Sequence, residues 1–221
     1  MRRRRWWRGA IGPGILVLAM TPFFVPEALA FPYHRQVGET QVYSDTPIPD
    51  AISGVLARAN GLLRTSVIYA PGAYGRRLFL TDGGWRWRLL SFRTLGAFAQ
   101  TRWGSEPIVI NRSDVARDEV TTGASVAGRR SLSGVIAHER THGLIWHHFG
   151  FQADLIYPAW LREGYCDYVA GGGSLSDTAA KQLIARGQWV PALLYYHGRQ
   201  RVTAKLRANG GSVDALFASA R

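Results

Sequence analysis

The sequence predicts an α+β protein: a small mixed sheet in the N-terminal part, one central helix carrying an active site, and a helical C-terminal part. Three observations carry this. Short β-rich runs at Thr40–Ser44 (TQVYS), Arg77–Thr81 (RLFLT) and Pro107–Asn111 (PIVIN) are interspersed with helical patterns. After Gly128 the apolar residues fall at helical spacing only. Between the two parts lies Ser131–Gly150, apolar around nearly its whole circumference, with His138-Glu139-Arg140-Thr141-His142 at its middle.

The chain opens on Met1–Ala30, which reads as a leader. MRRRRWWRG is a basic start, Ala10–Val25 is apolar, and Ala28-Leu29-Ala30 is a small-x-small cleavage signal before Phe31. Pro13, Pro22 and Pro26 interrupt the apolar run, which falls short of the roughly 20 residues that span a bilayer. Cleavage after Ala30 is therefore expected, with an uncleaved anchor as the alternative. Either way the remaining residues, 31–221, form one domain working outside the cytoplasm, periplasmic or secreted.

Removing the leader takes five of the 27 basic and one of the 15 acidic residues, leaving a formal +8. That favours anionic surroundings such as a membrane surface or an envelope polymer. The basic residues are scattered rather than gathered in a stripe, and no nucleic-acid fold signature is present, so nucleic acid is not an expected partner. Oligomeric state is not legible. The single cysteine, Cys166, excludes an intrachain disulfide and reads as a small buried hydrophobe.

Within the domain, an extended piece from Phe31 precedes the Thr40–Ser44 strand, and Asp45-Thr46-Pro47 ends it. A helix follows from Pro49-Asp50 to Leu63, with Ile52, Val55, Leu56, Ala59, Leu62 and Leu63 on one face. Thr65–Tyr69 (TSVIY) and Arg77–Thr81 are expected strands, Trp85–Phe98 a helix, Pro107–Asn111 a strand and Thr121–Gly128 a glycine-rich loop. Ser131 or Ser133 caps the central helix and Gly150 stops it. Pro158 and Gly171 bound a second helix. Ser176 caps a third, through Arg186. Trp189–His197, then helices Arg199–Ala208 and Ser212–Ala220, complete the chain.

On the central helix His138 and His142 stand one turn apart on the same face, so both imidazoles can hold one metal ion. Glu139 projects to the side, where a carboxylate can take a proton from water. H-E-x-x-H is the arrangement of zinc hydrolases. Two histidines do not hold a catalytic zinc firmly, and a third protein ligand is needed. Glu163, 21 residues after His142, can be brought opposite the pair by a loop and two turns of returning helix.

Here the chain resembles the gluzincin zinc metallopeptidases, the thermolysin-like and aminopeptidase-like group. Their H-E-x-x-H is followed by a helix bearing W-x-x-E-G, matched by Trp160-Leu161-Arg162-Glu163-Gly164. The resemblance covers His138–Gly171 and implies a zincin-like metallopeptidase domain with one Zn2+ per chain and a peptide or protein substrate. It implies Glu163 as third ligand and Glu139 as general base toward zinc-activated water. Asp167 becomes the carboxylate behind His138, a partner that fixes an imidazole's tautomer. The strand Pro107–Asn111 takes the position of the edge strand along which an extended peptide aligns. Members often stabilise the oxyanion with a downstream Tyr or His; Tyr195, Tyr196 and His197 are the candidates.

His148 lies six residues beyond His142, the metzincin spacing, but Ile145 replaces the required glycine, and the methionines, Met1 and Met20, both lie in the leader. His147 and His148 therefore read as helix-end or surface residues. The alternative to an enzyme is a non-catalytic, zinc-stabilised basic envelope-binding protein.

Overall fold

The computed structural model describes residues 20–101 and 107–220. Most of the expected leader lies outside this range. The first described residues form a helical turn and a short 3-10 helix, Pro26–Leu29. This segment is docked on the domain: Glu27 pairs with Arg77 at 3.2 Å, and Arg86 donates to the carbonyls of Leu29 and Ala30. The expected cleavage point lies inside it. Among the described residues no helix is long and apolar enough to cross a membrane.

The architecture is α+β. A five-stranded mixed sheet is built from β1 (Tyr33–Val37), β2 (Thr40–Ser44), β3 (Arg77–Leu80), β4 (Ala99–Thr101) and β5 (Ile108–Ile110), in the order β1-β2-β3-β5-β4. The two central pairings, β2 with β3 and β3 with β5, are parallel; the outer two are antiparallel. Side chains alternate across this sheet, as strand geometry requires. Val42, Leu78, Leu80, Ile108 and Ile110 enter the main core, whereas Phe79 and Val109 face the opposite side with Trp87 and Leu90. A second, antiparallel sheet joins β6 (Arg112–Asp114), β7 (Glu119–Thr121) and β8 (Arg129–Ser131).

The helices are α1 (Ile52–Leu63), α2 (Trp85–Leu90), α3 (Leu132–Phe149), α4 (Ala153–Ile156), α5 (Ala159–Val169), α6 (Asp177–Ala185), α7 (Ala192–Ala208) and α8 (Val213–Ala218). The central helix α3 packs on α1 and α5. Its start is fixed twice. Ser131 caps Gly134 N–H at 3.2 Å, and Asp118 accepts from both the backbone N–H and the hydroxyl of Ser133, each at 2.7 Å. Gly150 ends it at φ 90, a backbone that disfavours a side chain. Arg140, inside the motif, is buried, and its guanidinium donates to Thr40, Asn60 and the carbonyl of Gly75. One side chain thus ties α3 to β2, α1 and the loop before β3.

Helices α5 and α7 meet through glycines. A Cβ on Gly164 would lie 2.5 Å from the Gly198 carbonyl carbon, and one on Gly198 would lie 2.7 Å from the Trp160 carbonyl oxygen. Only backbone-to-backbone contact fits there. Gly198 lies within α7, so the expected separate Trp189–His197 stretch and Arg199–Ala208 helix are one helix from Ala192.

Three expectations are corrected. Thr65–Tyr69 is a set of turns, not a strand, because Ser66 closes onto Leu63 through its N–H and its hydroxyl shares a hydrogen bond with the Tyr165 hydroxyl at 2.7 Å. The helix expected over Trp85–Phe98 stops at Leu90: Trp87 Nε1 donates to Leu95 O, and Ala99–Thr101 is taken up as strand β4. Pro107–Asn111 is not the edge. Its strand, β5, is paired on both sides, and β4 forms that edge.

Candidate active site

The helices α3 and α5 cross so that His138, His142 and Glu163 converge. Glu163 Oε2 lies 3.2 Å from His138 Nε2 and 3.7 Å from His142 Nε2. The imidazoles stand 5.2 Å apart, edge to face, as one-turn spacing dictates. Helix α5 is brought to this place by the short α4. There Asp154 accepts from Trp146 of α3 at 2.9 Å and from Arg162 of α5 at 2.5 Å.

Behind the first histidine stands Asp167, one turn beyond Glu163. Its Oδ1 accepts from His138 Nδ1 at 2.7 Å and from Arg130 Nη2 at 2.8 Å. A carboxylate can only accept here, so the Nδ1 proton is fixed and Nε2 is the atom presented to Glu163. Arg130 also donates to Gly172 O at 2.9 Å, tying β8 to the end of α5. A Cβ on Gly173 would meet the other carboxylate oxygen of Asp167 at 2.6 Å, so this glycine lets the chain close over the acid.

Electrostatics follow from this packing. Burial opposes a charge on His138, but hydrogen bonds to Asp167 and then Glu163 overcome it and raise its pKa to about 10. Burial likewise opposes ionised Glu163, yet His142, His138 and Arg162 hold it down at about 2. Asp167 stays below the usual carboxylate range despite burial, held there by His138 and Arg130.

The donor set fits a zinc ion. Bonds of about 2.0–2.1 Å at tetrahedral angles set neighbouring donor atoms roughly 3.3 Å apart, and the two Glu163 distances bracket that value. Cys166 is a second possible donor, since its Sγ lies with one nitrogen of each histidine inside 4.8 Å. Its thiol is fully buried. Burial first, then the Glu163, Glu139 and Asp167 charges, push its pKa well above the ordinary value. A metal takes thiolate, not thiol. Glu163, already ionised and with one oxygen 3.2 and 3.7 Å from the two imidazoles, is the other candidate third donor.

These groups lie in a cleft of about 810 Å³ whose other wall is the β4 edge. Glu139 faces the same space. Thr101 of β4 donates to its Oε2 at 2.5 Å. Of the three candidates for oxyanion stabilisation, Tyr195 lines the cleft. Partial burial, then Glu163, Asp167 and Glu139, push its phenol up to about 12, so it carries its proton. Tyr196 instead packs beside Leu175, Ala180, Leu183 and Leu193, and His197 is exposed beside it. At the far end of α3, His148 bonds Asp214 at 2.7 Å, away from the cleft.

Sequence reasoning missed Thr101 and Arg130. Neither sits in a spacing pattern; strand pairing brings the one to the site and the β7–β8 hairpin the other. Comparison with protein-family models, with curated proteins and with solved structures returns no match.

Proposed function

We propose that this chain is a zinc-dependent metallopeptidase of the gluzincin type, exported by its leader and cutting peptide or protein substrates. The observation that carries the reading is the convergence of His138, His142 and Glu163 donor atoms at 3.2 and 3.7 Å, with Glu139 facing the same cleft. When bound, zinc supplies Lewis acidity and lowers the pKa of water toward about 7. The rest is done by the chain. His138 is held through Asp167 and Arg130 with Nε2 toward Glu163, His142 completes the pair, and Glu163 brings the negative charge. Glu139 takes the proton from the attacking water and passes it to the leaving amine. The Thr101 hydroxyl, bonded to one oxygen of Glu139, leaves the other for that transfer. Tyr195, kept protonated, is placed to donate to the developing oxyanion.

The rival, a zinc-stabilised protein without catalysis, gives no role to a carboxylate aimed into an open cleft. The test is turnover of an internally quenched peptide library by wild type and by Glu139→Gln, with zinc content measured in both. Activity lost with zinc retained supports the reading; full activity in the variant contradicts it.

A further inference from the structure

A surface on the far side of the main sheet from the cleft helices carries side chains that the hydrolytic reading leaves unused. Helix α2 and the turns after it are apolar in two directions. Trp87 and Leu90 point inward, onto Phe79 and Val109. Trp85, Leu89, Phe92 and Leu95 point outward, and Trp85, Phe92 and Leu95 are 57%, 60% and 51% exposed. The segment leading into the domain extends this patch: Phe23 meets the Phe92 ring edge-on at 6.0 Å, and Met20 and Phe24 add more exposed apolar surface. Arg88 and Arg93 stand exposed among these side chains.

We propose that this face seats the protein on an anionic phospholipid bilayer. An apolar patch of this kind, with aromatic side chains and interspersed arginines, matches the interface between headgroups and acyl chains. Aromatic rings such as Trp85 favour that depth. Two observations select lipid as the occupant. In the uncleaved chain the sequence that precedes the patch, residues 1–19, holds five arginines, two tryptophans and an apolar run. The charge also fits, since the chain carries a formal +12 with residues 1–30 and +8 without them, and basic side chains near an anionic leaflet strengthen binding. Arg93, Thr94, Gly96 and Ala97 line the cleft. The mouth of the cleft therefore opens next to the seated face, and what enters it comes from the membrane surface. The docking face itself is independent of the hydrolytic reading.

The test uses the full chain with single cysteines at Phe92→Cys or Leu95→Cys, labelled with an environment-sensitive fluorophore. Cys166 is buried and stays unlabelled. An Arg207→Cys control lies on α7, which packs into the core on the opposite side of the sheet. With phosphatidylglycerol-containing vesicles, the Phe92 and Leu95 labels shift to the blue and are quenched by spin-labelled lipid, while the Arg207 label is unmoved. Reversing Arg88 and Arg93 to Glu raises the lipid needed for half-binding by about tenfold or more. Three results overturn the proposal. The patch labels could stay water-like while the protein cosediments, which would leave residues 1–30 as the whole attachment. They could shift without vesicles as protein concentration rises, which would make the face a contact between copies. Binding could be equal on vesicles of phosphatidylcholine alone, which would remove the anionic requirement. Unchanged melting of each variant shows that folding is not the cause.

Discussion

The two walls of the cleft are built differently. The wall made by α3 and α5 is rich in polar contacts: His138 sits between two carboxylates, Asp167 is shared with Arg130, and Asp154 bridges Trp146 and Arg162. The opposite wall is a sheet edge, joined to the first by the Thr101–Glu139 hydrogen bond. The difference is chemical. On the proposed function, residues that are to hold a metal would have to be in place before the ion arrives, and surrounding hydrogen bonds do this. On the proposed function the other wall would have to accept chains of varied sequence, and a strand edge unpaired among the described residues would offer backbone groups common to all of them.

The contrast can be broken from the network side first. Glu139→Gln is expected to lower peptide turnover by about 10²–10⁴-fold with zinc content unchanged, measured by steady-state kinetics and metal analysis. Asp167→Asn removes the charge behind His138 and is expected to weaken zinc binding by about 10–100-fold in a chelator competition. Gly164→Ala drives a methyl into the Gly198 backbone, so the crossing of α5 and α7 must open. A loss of about 1–3 kcal/mol in denaturant unfolding is expected. Thr101→Val acts on the other wall, and the expected effect is the smallest: a few-fold fall in kcat with zinc and KM unchanged, restored by Thr101→Ser.

The same network sets a pH dependence in the metal-free protein. The pKa of His138 is raised from 6.5 to about 10, so its contribution to stability is complete below about pH 6.5 and is lost as pH rises through 10. Glu163, lowered from 4.5 to about 2, contributes above pH 4.5 and loses that contribution as pH falls through 2. Asp167 acts in the same direction. Thermal melts of chelator-treated protein are therefore expected to peak between about pH 4.5 and 6.5. A melting temperature still rising at pH 9 would contradict the charged His138 network.

The convergence of His138, His142, Glu163 and Asp167 was legible because its spacing is local. His138 and His142 are one turn apart on one helix, and Glu163 and Asp167 one turn apart on another, so periodicity places each pair without knowledge of the fold. The β4 wall was not legible. Thr101 meets Glu139 only because β4 pairs with β5, and a three-residue strand after a tryptophan-rich stretch gives no clear pattern. The resemblance puts the edge at Pro107–Asn111 from its position before the central helix, and the composition of that run speaks against it. Burial on both sides is what makes a strand so apolar, and such a strand belongs inside the sheet. Arg130, Asp118 and the β6–β8 sheet were missed for the same reason: long-range pairing brings them to α3. The Gly164–Gly198 contact carried half a signal: Gly164 falls within a helical pattern, where glycine otherwise costs stability, whereas Gly198 falls between two expected segments.

The central claim is that His138, His142 and Glu163 hold one zinc ion. Its most direct test is zinc stoichiometry of the purified protein beside Glu163→Ala and Cys166→Ala. About one zinc per chain is expected in wild type and in Cys166→Ala, with loss or strong weakening in Glu163→Ala. Zinc kept by Glu163→Ala and lost from Cys166→Ala would contradict it and make the site two histidines and a thiolate.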